Sequence, residues 1–251
     1  LYIGRWLKAP IQKSDGSMVV REKGVPQGGV ISPLLANLYL HYCMDEWMRI
    51  HYPQNPFERY ADDSVVHCKT EKEAQEVRDA LKERFSACGL ELHPGKTKIV
   101  YCKDDDRNED YPNTKFDFLG YTFRSRRSKS RWGKYFVNFL PAVSNRAKKA
   151  MRQELRRWRI HLRSDKSLSD IARMINPMLR GWINYYGKFY KSALYCVFQH
   201  LNRILVRWAT RKYKRLKGHQ RKAGYWLGRI ARREPTLFYH WQWGLKPAAG
   251  Q

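Results

Sequence analysis

Apolar positions follow two rules along this chain. Up to about residue 123 they come in short runs broken by polar turns, and beyond Asn145 they recur every three or four residues. In the first part, residues 1–31 read as a strand pair around the turn signal Ser14-Asp15-Gly16. The run Ile31–Met48 reads as a helix, with Ser32 as N-cap and Pro33 at the first helical position. Leu35, Leu38, Tyr42 and Asp45 fall along one side of it. FERYADDSVVHC, Phe57–Cys68, reads as two short strands around a turn. Thr70-Glu71-Lys72-Glu73 is a capping box, opening a helix in which Ala74, Val77, Leu81 and Phe85 share a face. LELHPGKTKIVYC, 90–102, predicts an extended stretch, a turn at Pro94-Gly95 and a strand. Asp104–Asp110 is an acidic loop. Phe116–Arg124 predicts a strand with Phe116 and Phe118 on one face. This order points to an α+β layer with helices on one side of an antiparallel sheet.

A boundary falls near SRRSKSRWGK, 125–134, which reads as a hairpin or loop. Past it, Ala147, Met151, Leu155, Trp158 and Leu162 make one helical stripe. Ser167 with Asp170 caps a second helix, with Leu168, Ile171, Ile175, Met178, Trp182 and Tyr185 inward. Leu194, Val197, Leu201, Leu205 and Trp208 make a third. Trp182, Tyr185 and Tyr186 fit a core, although such rings also stack on RNA bases.

Charge sharpens the division. Residues 1–123 hold 17 Lys+Arg against 19 Asp+Glu, whereas 124–251 hold 32 against 4, so the whole net charge of +26 lies in the second part. Such one-sided charge repels itself unless a polyanion partner is bound, and nucleic acid is the polyanion it fits. Arg156, Arg157 and Arg159 flank the inward Leu155 and Trp158 and are candidate RNA contacts. With 43% apolar residues the chain is globular, not a disordered basic tail. No apolar run is long enough for a bilayer, so no membrane partner is expected. Five scattered cysteines without a CxxC argue against a disulfide framework or zinc knuckle and suit a reducing compartment. LYIGRWLKAPIQ lacks the layout of a secretory signal, and with no initial Met the chain reads as part of something longer.

The chemistry concentrates at Asp62-Asp63. Two adjacent carboxylates among Val65, Val66 and other strand formers repel each other and are costly to desolvate, so a positive group is expected beside them. A turn between strands holds both near one point. Hard oxygen ligands there suit Mg²⁺, which takes few protein ligands when phosphates supply the rest.

Tyr60-Ala61-Asp62-Asp63 resembles the YADD catalytic turn of reverse transcriptases. GVPQGGVISPLLANLYL at 24–40 is similar to their PQG segment, and HPGKTKIV at 93–100 and FLGYTF at 118–123 resemble their later palm motifs. With GWINYYGKFY at 181–190 and LFYHWQWG at 237–244, the resemblance is fullest to the reverse transcriptase–maturases of group II introns and covers essentially the whole chain. It implies a right-hand polymerase palm over 1–123, followed by an all-α thumb, or maturase X domain, over 124–251. Asp62 and Asp63 would bind the catalytic Mg²⁺. Pro26, Gln27, Gly28, Tyr60 and Ala61 would line the incoming nucleotide, and Leu119 and Gly120 would grip the primer. Lys96 would stand near the phosphates as a catalytic cation, a role for which Lys98 competes.

The implied activity is RNA-directed DNA synthesis together with binding of intron RNA for splicing and mobility. The implied partners are group II intron RNA, an RNA template with a DNA primer, dNTPs and target DNA. The implied setting is the bacterial cytoplasm near the nucleoid, or an organelle. Two other readings stay open: a splicing maturase without polymerase activity, and a retron, diversity-generating or CRISPR-linked reverse transcriptase. The family's third metal-binding carboxylate and its fingers match no segment here and are expected upstream of Leu1.

Overall fold

A computed structural model of the chain describes residues 2–20, 24 and 28–248. It forms two compact units, residues 1–99 and 100–251.

The first unit opens with helix α1 (Tyr2–Lys8), where a strand was expected, and then the short hairpin β1 (Ile11–Gln12) and β2 (Met18–Val19) around the predicted turn. Helix α2 (Ser32–Leu40) follows, continuing through a π-turn (His41–Asp45) into α3 (Glu46–His51). Ser32 is the first helical residue rather than the N-cap, a place taken by Ile31 without a side-chain cap. The π-turn also overturns the expected face. One extra residue in a turn rotates everything after it, so Cys43, Met44 and Met48 are buried while Tyr42 is exposed; Leu38, before the turn, is exposed as well. Arg84 steadies the irregular turn, donating from Nε to the Cys43 carbonyl (3.1 Å) and from Nη2 to that of Tyr42 (3.2 Å).

Strands β3 (Phe57–Tyr60) and β4 (Asp63–Val66) form an antiparallel hairpin. Helix α4 (Glu71–Ala87) is capped as its sequence predicts, with Thr70 Oγ1 accepting from the Glu73 amide. Met44, Met48, Val77 and Leu81 make this unit's core, with Trp47, Phe57, Val66 and Phe85 packed around it. Residues 90–102 turn at Pro94–Lys96 as expected, but the predicted strand does not form.

In the second unit Phe116–Arg124 is not one strand. A reversal at Leu119-Gly120 divides it into β5 (Lys115–Phe118) and β6 (Tyr121–Lys129), and β7 (Tyr135–Val143) completes a three-stranded antiparallel sheet. Among the described residues the strands therefore make three small sheets, of two, two and three strands. Helices α5 (Asn145–Arg157), α6 (Leu168–Tyr186), α7 (Tyr195–Lys212), α8 (Gln220–Arg233) and α9 (Tyr239–Gln242) follow. The Ser167–Asp170 capping box is present, and α6 runs unbroken through Pro177. All five positions of the third predicted stripe are fully buried. Elsewhere Leu162, Met178 and Tyr185 are exposed, because Ile160, Leu179 and Ile183 take the inward places.

His240 sits in this second core with no exposed surface. Its Nε2 pairs with Asn202 Oδ1 at 2.8 Å, while Nδ1 has no partner. A proton on Nδ1 would be a buried, uncompensated charge, and burial pushes the imidazole pKa down to about 3. An unfolded histidine titrates near 6.5, so between those values the unfolded state binds the extra proton and stability falls with falling pH. The expected slope is up to about 1.4 kcal/mol per pH unit. Denaturant midpoints of wild type and His240→Gln from pH 7 to 4 check this; the variant should lose less, and parallel curves would refute it.

Candidate functional site

The hairpin β3–β4 pairs Tyr60 with Asp63, which leaves Ala61-Asp62 as a two-residue loop. Ala61 has φ of +54°, a left-handed conformation that a hairpin loop demands and that an L-residue resists. Asp62 and Asp63 are both exposed, so the desolvation penalty feared for them does not arise. Neither makes an ion pair or side-chain hydrogen bond among the described residues.

The positive group expected at this place exists but is turned elsewhere. Arg59, two residues before the loop's midpoint, donates from Nε to Asp45 Oδ1 (2.7 Å) and from Nη2 to Asp45 Oδ2 (2.6 Å). Its Nη1 reaches Asn37 Oδ1 (3.0 Å) and the Ala61 carbonyl (2.9 Å). One guanidinium thus ties the left-handed loop to α2 and the π-turn. The Arg59 side chain is only 11% exposed and that of Asp45 22%. Hydrogen bonds from Arg59 hold the Asp45 carboxyl below the usual range, against the opposing effect of burial. Sequence reasoning missed Arg59 and passed over Asp45 as a partner for it. An Arg beside an acidic turn was the available signal, and its partner lies 14 residues away.

The two turn carboxylates fit a hard divalent cation in chemistry. They offer oxygen donors, and no cation among the described residues neutralises them. Two carboxylates fill only part of an octahedral shell, which suits Mg²⁺ completed by water and phosphate. No cluster of three or more His, Cys, Asp or Glu with metal-site geometry occurs among the described residues.

The other predicted residues separate. Pro26 and Gln27 lie outside the described residues. Gly28 is exposed, with φ of +87°, and Tyr60 is 65% exposed beside the aspartates. Lys96 is exposed on the Pro94–Lys96 turn, its amide bonded to the His93 carbonyl, and makes no ion pair with either aspartate.

Leu119 and Gly120 form a second two-residue hairpin loop, with φ of +49° and +79°. Aromatic struts from the end of α6 hold it. Tyr185 Oη donates to the Leu119 carbonyl at 2.9 Å, and Tyr121 Oη donates to the Tyr185 carbonyl. A Cβ on Gly120 would come within 2.7 Å of Tyr186 Oη. Tyr186 packs against the helical core as expected while Tyr185 is exposed, and both brace this turn.

Arg156, Arg157 and Arg159 are exposed around the end of α5, with Leu155 fully buried and Trp158 stacked on Trp182. Arg157 pairs with Glu154 at 3.0 Å, and Arg159 has φ of +47°. Ala61, Leu119 and Arg159 are the non-glycine residues with positive φ among the described residues, and each is a site residue by sequence. Held strain of this kind gathers at functional sites.

Comparison with known proteins finds two family matches. Residues 2–123 match the reverse transcriptase (RNA-dependent DNA polymerase) family, and residues 148–226 match the group II intron, maturase-specific domain. The chain is also similar to Protein YkfC of Escherichia coli (strain K12), at 32% identity over 46% of this chain. It spans 35% of that relative's length.

Two outcomes are expected from this geometry. Arg59→Met should destabilise the first unit by about 2–3 kcal/mol, because it strands a half-buried carboxylate and frees the turn carbonyl. Arg59→Lys should recover only part of this, since an ammonium cannot bond both oxygens in a planar fork. Urea unfolding checks it, and a wild-type midpoint for Arg59→Met would refute the clamp. Gly120→Ala should cost about 1–3 kcal/mol through strain and the clash with Tyr186. Adding Tyr186→Phe should return part of that in thermal unfolding; identical melting of Gly120→Ala and wild type would show the turn is not so confined.

Proposed function

We propose that this chain, which belongs to the group II intron-encoded reverse transcriptase–maturases, carries out RNA-directed DNA synthesis and grips its intron RNA for splicing and mobility. The observation that carries the reading is the Tyr60–Asp63 hairpin loop, with two exposed carboxylates left unneutralised on a braced turn. In this reading residues 1–123 are the palm and 124–251 the thumb and maturase domain, although the compact units divide at 99/100.

Reverse transcriptases are divalent-metal dependent. Asp62 and Asp63 would hold Mg²⁺, which when bound stabilises the attacking and leaving oxygens of phosphoryl transfer. The chain's own part is positional. Arg59 keeps the loop from moving, so that both carboxylates stay aimed while the primer 3′-oxygen bonds to the dNTP α-phosphorus and pyrophosphate departs. Ala61, lacking a long side chain, leaves room for the nucleotide beside Tyr60, and the family resemblance assigns Pro26, Gln27 and Gly28 to the same nucleotide. Lys96 offsets charge on the leaving phosphates. The braced Leu119-Gly120 turn holds the primer end.

The RNA-binding role rests on charge. The balance of +28 beyond residue 123 suits intron RNA, the RNA template with its DNA primer, and target DNA. Arg156, Arg157 and Arg159 contact phosphates. No helix among the described residues is long and apolar enough to cross a membrane. Such a protein works where its intron is transcribed, in the bacterial cytoplasm or an organelle.

One paired experiment tests both halves in the full-length protein, by primer extension and by intron binding across a salt titration. Asp62→Asn should cut extension at least about a hundredfold, as expected for a missing metal ligand, and leave RNA affinity within twofold. Replacing Arg156, Arg157 and Arg159 by Ala should lower the salt slope by roughly 0.7–0.9 for each phosphate no longer neutralised. Extension at parental rate by Asp62→Asn would sink the metal assignment, and an unchanged slope in the triple variant would sink the arginine assignment.

A further inference from the structure

The hairpin of β6 and β7 has an outer end that no role above uses. Its nine register pairs run from Tyr121–Val143 to Lys129–Tyr135, while β5 covers β6 only as far as Arg124. The base is buried, with Val143 3% exposed, but Tyr135 is 55% and Trp132 78% exposed. A two-stranded ribbon of this kind is marginal on its own, yet its end is well built. The Ser130 amide donates to the Lys134 carbonyl (2.8 Å), the Gly133 amide to the Ser130 carbonyl (3.0 Å), and the Lys134 amide to Ser130 Oγ (3.2 Å). Gly133 supplies the left-handed residue the loop requires, at φ of +85°.

On this loop every charge is positive. The Arg131 guanidinium lies 4.0 Å from the Trp132 ring centroid. Arg127 and Lys129 both lie over Tyr135, at 4.2 and 5.6 Å. One cation per ring would brace the ribbon; two on one ring add repulsion that bracing does not explain. No acidic residue occurs in the sequence between Asp117 and Glu154, and Arg127, Lys129 and Arg131 form no ion pair among the described residues. An exposed indole, pre-oriented cations and unrelieved positive charge match a base to stack and phosphates to pair.

We infer that the hairpin end, formed by Arg127, Lys129, Arg131, Trp132, Lys134 and Tyr135, binds unpaired RNA nucleotides, with a base stacked on Trp132 and the adjoining phosphates on the cations. The inference rests on the RNA-binding half of the proposed function and adds a site outside the helical domain. A lone exposed indole is too little apolar surface to enter a lipid layer, and a flat ring offers an acidic peptide nothing that the cations alone would not. RNA in loops presents unstacked bases, which a paired A-form helix does not.

The test uses the full chain and fluorescence anisotropy with three labelled probes: an RNA stem with an unpaired loop, a fully paired RNA of equal charge, and single-stranded DNA of the loop sequence. Trp132→Ala should weaken looped-RNA binding about tenfold, as expected for removal of one base–aromatic stack, and leave paired RNA unaffected. Trp132→Phe should restore most of the loss, and Arg131→Ala should lower the salt slope where Trp132→Ala does not. Trp132 is exposed, so circular dichroism and melting should match wild type in all three variants. Equal losses on looped and paired RNA, or none, overturn the site, and a loss confined to DNA overturns its assignment to RNA. If wild type binds neither RNA, the RNA-binding half of the proposed function fails as well; tight wild-type binding beside an unaffected Trp132→Ala refutes the hairpin alone.

Discussion

Arg59 is a cation that the fold withholds from its nearest aspartates. Had it paired with Asp62 or Asp63, the turn would have lost half of its negative charge. Instead Asp45 takes both ends of its fork, and the remaining nitrogen holds the loop carbonyl. Rigidity and charge are thereby supplied separately. The brace lies half-buried, where a charge-assisted fork is strong, while the carboxylates it serves remain in water. That arrangement needs Asp45 at the right place on its helix, and the π-turn sets that place. The carbonyls at Tyr42 and Cys43 within that turn are in their own right held by Arg84. Arg59 and Arg84 thus link the loop, the π-turn and α4 through hydrogen bonds.

The second unit repeats the device with different chemistry. Leu119-Gly120 is again a two-residue hairpin loop whose first carbonyl is held by a side chain, here from helix α6 where Arg59 acts from strand β3. Here the strut is a tyrosine hydroxyl and not a guanidinium. Tyrosine suits a part of the chain already crowded with positive charge, where another arginine would add repulsion and an ionised carboxylate could not donate to a carbonyl. The rings also fill the space beside Gly120, so the turn is confined sterically as well as by hydrogen bonds.

Charge follows the same logic over the whole chain. In the first unit ion pairs are intimate, as in Arg59–Asp45. Beyond residue 123 four acidic residues face 32 basic ones, so most cations have no carboxylate within the domain to pair with. Apolar packing carries the helical core there, with α7 at its centre, so the surface is left to serve a polyanion. Away from the β6–β7 hairpin, cation–aromatic pairs such as Arg180–Tyr239 and Lys191–Trp243 supply local contacts there.

By itself the sequence determined what is local. The capping boxes at Thr70 and Ser167, the Ser14–Gly16 turn, the YADD hairpin and the α7 stripe were all legible, because each depends on a few neighbouring residues and a fixed period. The family resemblance was legible too, as was the charge split. Tertiary structure decided the rest. Periodicity cannot foresee a π-turn, so the buried face after His41 departs from the helical spacing, and inward positions on α6 shift by about one residue. The strand expected near residue 100 did not form, its backbone meeting a neighbouring segment at the bond from the Tyr101 amide to the Asn113 carbonyl. Arg59 chose Asp45 over its close neighbours, and the tyrosines of α6 turned out to brace a loop 66 residues away. Such pairings are settled by distance in space, which spacing along a chain does not encode.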